Sequence, residues 1–375
     1  MTAVPALRLY AGPAARQHIA RHGLAPADIA VIPGAAGGPK GLVLGPLDQF
    51  IFGQWLPRSQ QPVHLVGASI GAWRMATACL GDTVQALQRL SHDYIHQTYD
   101  TPPGRRMPTA DHVSERFGQG LRAFYGGRLA EILRHPRYHL HVVAARGRHI
   151  LSREHALATP LGYAGAFLAN ALHRRALGGW LERVVFSTAG PGGQTGDDGA
   201  PARPRLPFAT HDFRTRQVAL TEDNFFPVVQ ASCSIPFALR AVHDIPGAPR
   251  GAYWDGGLTD YHLHLPYHPP AQRGGLVLYP HFQRAVVPGW LDKGLRWRHR
   301  ASGFLDHMLV LAPDPAWVAT LPAGKLPDRT DFARYGSDVA ARARAWGAAV
   351  SASEQLAASF ERWLADPDPG RVEPL

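Results

Sequence analysis

A chain of 375 residues that carries 39 Lys and Arg against 29 Asp and Glu has a formal charge of +10. Its 45% hydrophobic content, with Gly and Pro at about a fifth of the residues, excludes disorder as the main state. The length exceeds the roughly 100–200 residues of one ordinary domain, but it suits an α/β enzyme core with decoration and can bury a core without staples. The charge is almost all arginine, since lysine occurs only at Lys40, Lys293 and Lys325. A GC-rich genome is the simple account. An anionic partner, such as a membrane surface or an acidic substrate, is the functional one. The arginines are scattered and no nucleic-acid motif is present, so no nucleic-acid partner is expected. Cys79 and Cys233 are too few for a disulfide framework and lack metal-ligand spacing. The start has no secretory apolar run, and no stretch approaches the roughly 18 uninterrupted apolar residues of a membrane span. The best stretch, Leu42 to Leu56, is broken by Asp48 and Gln49. The expectation is a soluble, reduced, cytoplasmic protein, peripheral at a membrane at most.

Short Val/Ile/Leu-rich runs bounded by Gly or Pro predict strands, in chain order, at 29–33, 63–67, 139–144, 183–188, 216–220, 251–254, 276–279 and 308–311. Between the first two, residues 40–55 have helical spacing. Strand alternating with helix points to an α/β fold with a largely parallel sheet. The stretch TYDTPPGRRMPTADH breaks the pattern before a helix from Val113 and could open a cap or lid. Residues 190–205 are Gly/Pro/Asp-rich without periodicity and predict a mobile surface loop. Residues 330–365 read as helical, with Phe332, Tyr335, Val339, Trp346, Val350, Leu356, Phe360 and Trp363 as packing positions. The expected division is an α/β hydrolase domain over 1–320 and a helical extension over 321–375 packed on it.

Three motifs carry chemistry. The first is Gly67-Ala68-Ser69-Ile70-Gly71, a G-x-S-x-G between an apolar strand and a helix. A sharp strand-to-helix turn projects the serine hydroxyl, small neighbours permit the backbone, and the helix N-terminus favours developing negative charge. Alone, the pattern is more often an ordinary glycine-rich turn than a nucleophile. The second is Gly34-Ala35-Ala36-Gly37-Gly38-Pro39-Lys40-Gly41, after the first predicted strand. Such a turn exposes backbone N–H groups that bind an anion. The phosphate-loop pattern needs Gly, Lys, then Ser or Thr, and here Pro39 and Gly41 flank Lys40. An oxyanion hole fits better, and because Pro39 has no N–H its donors would be Gly37 and Gly38. The third is Asp255-Gly256-Gly257 after a strand. By itself it reads as a turn; beside an active serine it reads as a general base, whose basicity burial would raise.

In this order the motifs resemble the patatin-like phospholipase family, whose pattern is G-G-G-x-[RK]-G, then G-x-S-x-G, then D-G-[GA]. Ala231-Ser232-Cys233-Ser234-Ile235-Pro236 resembles its A-S-x-x-x-P element, and the likeness spans roughly 29–260. The resemblance implies a three-layer α/β/α core and hydrolysis of lipid acyl esters by a Ser–Asp dyad through an acyl-enzyme, without cofactor. Ser69 would be the nucleophile, Asp255 the base, and Gly37 and Gly38 the oxyanion donors. Lys40, Gly41, Gly67, Gly71, Gly256 and Gly257 would support them. Two departures are visible: Ala36 replaces the loop's first glycine, and Leu258-Thr259-Asp260-Tyr261-His262 replaces the usual Asn-x-Pro.

Lys40 could anchor the glycine loop or tune oxyanion charge, or be an ordinary solvated lysine. His262, His264 and His268 suggest a metal cluster, with the first two on one face of an extended strand. They lack a clear acidic or thiol partner, and 20 histidines cluster by chance, so no metal is expected. Cys79 and Cys233 are expected to be buried apolar residues. The rival readings are a Ser–His–Asp esterase using His281 or His307, an acyltransferase, and a lipid-binding module that has lost turnover.

Overall fold

A computed structural model describes residues 5–100, 102, 108–189, 205–268 and 275–375. Among them, eleven strands form one sheet. They are β1 (Leu7–Ala11), β2 (Ile29–Gly34), β3 (Val63–Ala68), β4 (Tyr138–Gly147), β5 (Leu181–Ser187), β6 (Thr215–Ala219), β7 (Val242–His243), β8 (Ala252–Asp255), β9 (Leu276–Pro280), β10 (Met308–Pro313) and β11 (Val372–Pro374). The main order is β11-β1-β10-β9-β2-β3-β4-β5-β6. From β10 through β4 neighbouring strands are parallel, and helices flank this sheet in an α/β/α arrangement. Runs such as Leu-Val-Leu-Tyr in β9 and Met-Leu-Val-Leu in β10 are buried on both faces, as strands covered on both sides must be. No helix among the described residues is long and apolar enough to cross a membrane.

The ten residues of β4 serve two partners on one flank. Its first part pairs parallel with β3, ending at Ala68 opposite Val143. The very next residue, Ala144, lies opposite Asp255 of β8, which is antiparallel to β4. Strands β3 and β8 therefore run toward each other along one edge, and their C-terminal ends meet. This register brings two residues 186 positions apart into one place.

The helix Ile70–Thr77 is buried at every residue, so it needs an internal partner for its one charge. Arg74 finds it in Asp48, with Nε to Oδ2 at 2.7 Å and Nη2 to Oδ1 at 2.8 Å. Asp48, which interrupts the Leu42–Leu56 apolar run, thus ties the preceding helical segment to the helix after Ser69. That segment is not one α-helix. It passes from a 3₁₀ stretch (Gly38–Leu44) through an α turn (Gly45–Phe50) to a π turn (Ile51–Trp55), with Pro39 and Pro46 removing backbone donors. Asp48→Ala strands a buried guanidinium and is expected to cost about 3–5 kcal/mol, measured as a fall in urea-unfolding free energy.

The helix Ala110–Tyr125, which follows the break that could open a cap or lid, packs into the body. Leu121, Phe124 and Tyr125 are buried, and the Tyr125 hydroxyl donates to Trp73 O at 3.0 Å. The break before it lies partly outside the described residues. So does the proposed loop at 190–205, apart from Arg205. Near the C-terminus three helices, Thr330–Tyr335, Val339–Ala352 and Glu354–Ala365, bury Trp346, Leu356, Phe360 and Trp363. Phe360 packs edge-on against Phe50 and Trp55. The chain then returns to the sheet as β11 beside β1.

Candidate active site

Ser69 leaves β3 at φ 55° and ψ −130°, a left-handed conformation that costs a non-glycine residue strain. The turn is held from several sides. The Ser69 amide donates to Ser232 Oγ at 3.0 Å, and that hydroxyl donates to Val143 O at 2.6 Å. Gly71 packs so closely on β2 that a Cβ there would lie 1.8 Å from Gly34 O. Ser232 belongs to the A-S-x-x-x-P element, whose carbonyls also fix the end of β8. The Asp255 amide donates to Ser234 O at 2.9 Å and the Gly256 amide to Ser232 O at 3.2 Å. A Cβ on Gly256 would lie 2.1 Å from Val143 O, so the chain can turn there only as glycine.

The Ser69 hydroxyl and the Asp255 carboxyl meet directly. Ser69 Oγ donates to Asp255 Oδ2 at 2.7 Å, and Asp255 Oδ1 accepts from the Gly257 amide at 2.7 Å. Ser69 and Asp255 are both buried. Burial pushes the Asp255 carboxyl above its ordinary value, against the opposing pull of Arg329, Ser69, the Gly257 amide and Lys293. A buried carboxylate of raised basicity, in contact with a hydroxyl, can take its proton. The Cys233 thiol touches Ser69 too, but burial holds it well above its normal range, and Cys79 is likewise buried and protonated.

Neither candidate histidine enters this gap. The His281 ring bonds locally to Gln283, and burial lowers its pKa to about 3. His307 is exposed at the start of β10, where its carbonyl accepts from Val277. Among the described residues, no imidazole nitrogen hydrogen-bonds Ser69 or Asp255. The His262/His264 strand does not form. Leu263 has φ 50°, and the two rings bond to Ala285 and Val287 and to Val286 and Ser302 respectively. His268 is exposed.

The glycine loop emerges from β2, one strand over. The Ala36 amide is taken by Tyr261 O at 2.9 Å, so the alanine that departs from the glycine pattern uses its donor structurally. The amides of Gly37 and Gly38 have no acceptor among the described residues. Gly38 has φ 58°, which favours glycine, and the ring of Phe282 would stand 2.6 Å from a Cβ on Gly37. Gly41 fits against Ile70, and Gly67 against Ala72. A small cavity opens beside the dyad, lined by Ala36, Ile235, Pro236, Asp255, Leu258, Tyr261, Trp290 and Arg329. The second departure from the motif is structural. Asp260 receives Arg183 Nε at 2.7 Å and Nη2 at 2.6 Å inside the core, which fixes the chain that carries Tyr261 to the cavity.

Cations ring this cavity, and the motifs identify only one of them. Arg329 stands with its Nε 3.3 Å from where a Cβ on Gly38 would be. Lys293 lies over the Tyr261 ring at 4.6 Å and near Trp290 at 5.9 Å. Lys40 lies over Phe282 at 5.4 Å rather than free in solvent. Burial lowers the pKa of Lys40 and, helped by Lys40 and Arg329, brings that of Lys293 down to about 8. Among the described residues none of these three makes an ion pair. Lysine scarcity was the legible sign, because two of the chain's three lysines stand here.

No protein-family model matches the chain, and no curated protein does. Among solved structures it is similar to VipD from Legionella pneumophila, at 14% identity and a TM-score of 0.35, over 88% of this chain and 67% of that one. A likeness that distant carries no argument about chemistry.

Proposed function

We propose that the protein is a serine acyl-ester hydrolase of patatin-like type, acting on lipid or carboxylic esters through a Ser69–Asp255 dyad. The observation that carries this reading is the direct 2.7 Å bond from Ser69 Oγ to a buried carboxylate at a strained strand-to-helix turn. Asp255 Oδ2 takes the hydroxyl proton as Ser69 Oγ bonds to the ester carbonyl carbon. The oxyanion is received by the free amides of Gly37 and Gly38. The proton on Asp255 passes to the departing alkoxide, leaving an acyl-serine. Water then attacks, giving its proton to Asp255, and collapse returns that proton to Ser69 as the acid leaves. An alcohol in place of water would make the reaction acyl transfer, and the product mixture distinguishes the two. Labelling by a fluorophosphonate probe tests the reading: a mass increment on the Ser69 peptide supports it, and absence of labelling in folded protein overturns it.

The unpaired cations favour esters that carry a nearby anion, phospholipids among them. They also set the pH response. With a neutral ester, kcat/KM is expected to fall on the acid side as Asp255 gains a proton, at a pH above the ordinary value of about 3.9. Arg329 is the foremost group holding that value down, so Arg329→Ala should move this limb to higher pH. With an anionic ester, wild-type kcat/KM should also decline above about pH 8, as Lys293 loses its charge. A pH–rate series on both esters checks all three shifts; coincident profiles for the two esters would remove the cations from substrate recognition.

A further inference from the structure

The helix Ala158–Leu172 (ATPLGYAGAFLANAL) is turned inside out. Its inward face carries Thr159, Gly162, Tyr163, Ala166 and Asn170, two of whose polar groups bond inside. Asn170 Nδ2, for example, donates to buried Asp292 at 2.7 Å. Its outward face carries Leu161 at 68% exposure, Phe167 at 42%, Leu168 at 63% and Leu172 at 86%, with Leu157 at 87% just before it. Spacings of four, seven and four put Leu157, Leu161, Leu168 and Leu172 on one stripe, with Phe167 on its flank. A water-facing helix should show the reverse, and a contiguous apolar stripe of this kind marks an interaction surface.

We infer that this stripe seats the protein on a lipid surface, delivering the dyad's cavity to esters held in that surface. Three observations choose lipid as the occupant. The surroundings have the charge that anionic headgroups attract: residues 155–181 and 293–305 contain no Asp or Glu, and although Arg174 and Arg298 are paired with buried Asp292, Arg175, Arg296 and Arg300 are exposed and make no ion pair among the described residues. The second segment is bound to the helix end, since Arg298 Nη2 donates to Ala171 O at 3.2 Å. It presents Trp297 at 65% exposure between two arginines, the amphipathic pairing suited to a membrane–water boundary. Exposed apolar side chains also stand beside the cavity, tied to this helix through its inward face. Tyr163 of the helix packs edge-on against Phe237, at 5.9 Å, and Phe237 is 64% exposed at φ 69° beside Ile235 and Pro236 of the cavity wall. Trp290, another lining residue, is 40% exposed.

The proposal rests on the hydrolase reading only for its purpose, and binding can be measured without turnover. Purified protein is sedimented with phosphatidylcholine vesicles, with and without phosphatidylglycerol. Wild type should co-sediment, more strongly with phosphatidylglycerol. Leu161→Gln/Leu168→Gln should lose at least about tenfold in partition, because each exposed leucine loses its apolar transfer, while hydrolysis of soluble p-nitrophenyl butyrate stays unchanged. Trp297→Ala should weaken binding in the same direction. Ser69→Ala should bind as wild type does, so a failed hydrolase reading would leave this result standing. Equal partition of wild type and the double glutamine variant would overturn the proposal. So would a wild-type dimer that the double variant converts to monomer while neither binds vesicles.

Discussion

Asp255→Asn is expected to lower kcat for ester hydrolysis by about 10⁴-fold or more, with the protein still folded. The carboxamide is nearly the same size and can still accept from the Gly257 amide as Oδ1 does now, at 2.7 Å. It cannot take the Ser69 proton, and no other base stands at that hydroxyl among the described residues. The size of the loss separates the dyad from a triad when two controls are measured beside it. His307→Ala alters an exposed ring and His281→Ala a ring bonded to Gln283, so each should stay within about tenfold of wild type. His281 is buried, and its variant must first be shown by circular dichroism and urea unfolding to keep the fold. A folded histidine variant as inactive as Asp255→Asn would end the dyad assignment.

Much of this arrangement was legible because its causes are local. The eight predicted strands all form; most are buried and declare themselves as apolar runs between Gly and Pro, while half-exposed β6 and antiparallel β8 were marked by their β-branched and aromatic residues. The glycines at 71 and 256 stand where a Cβ would overlap a carbonyl, and that need is visible as motif. What was not legible depends on distant partners. Strand β1 is short and interrupted by Arg8, whose purpose is Asp314 and Glu373 at the other end of the chain. Strand β11 spans only Val372–Pro374 and exists because β1 offers an edge. Arg329 and Lys293 come from irregular segments without periodicity, and nothing local marks them as neighbours of Gly38 and Tyr261. The Ser69–Asp255 contact was inferable as a motif order, but its cause, the shared flank of β4, appears only in the register. That register also explains why Ser232 matters: it clamps Ser69 and Val143 where the two strands meet.

The strain at Ser69 gives the other large prediction, in which activity and stability separate. Ser69→Ala and Ser69→Gly should both lose about 10⁶-fold in kcat, because each removes the nucleophile. Both also remove the partner of Asp255 Oδ2, a cost they share. They differ only in how they suit φ 55° and ψ −130°. Alanine keeps a Cβ and with it strain of order 1–3 kcal/mol, whereas glycine adopts this conformation freely. Glycine in exchange has the more flexible unfolded chain, worth roughly 0.5–1 kcal/mol against it. The balance favours glycine by up to about 2.5 kcal/mol at this position, opposite in sign to the usual ranking of the two residues. Urea unfolding of the two inactive variants measures it directly. Ser69→Gly should have the higher midpoint with the same slope, and the difference, once the unfolded-chain term is added back, is the strain the fold tolerates to hold a hydroxyl against Asp255. A higher midpoint for Ser69→Ala would mean the turn is relaxed, and the argument from backbone strain to a nucleophile would lose its basis.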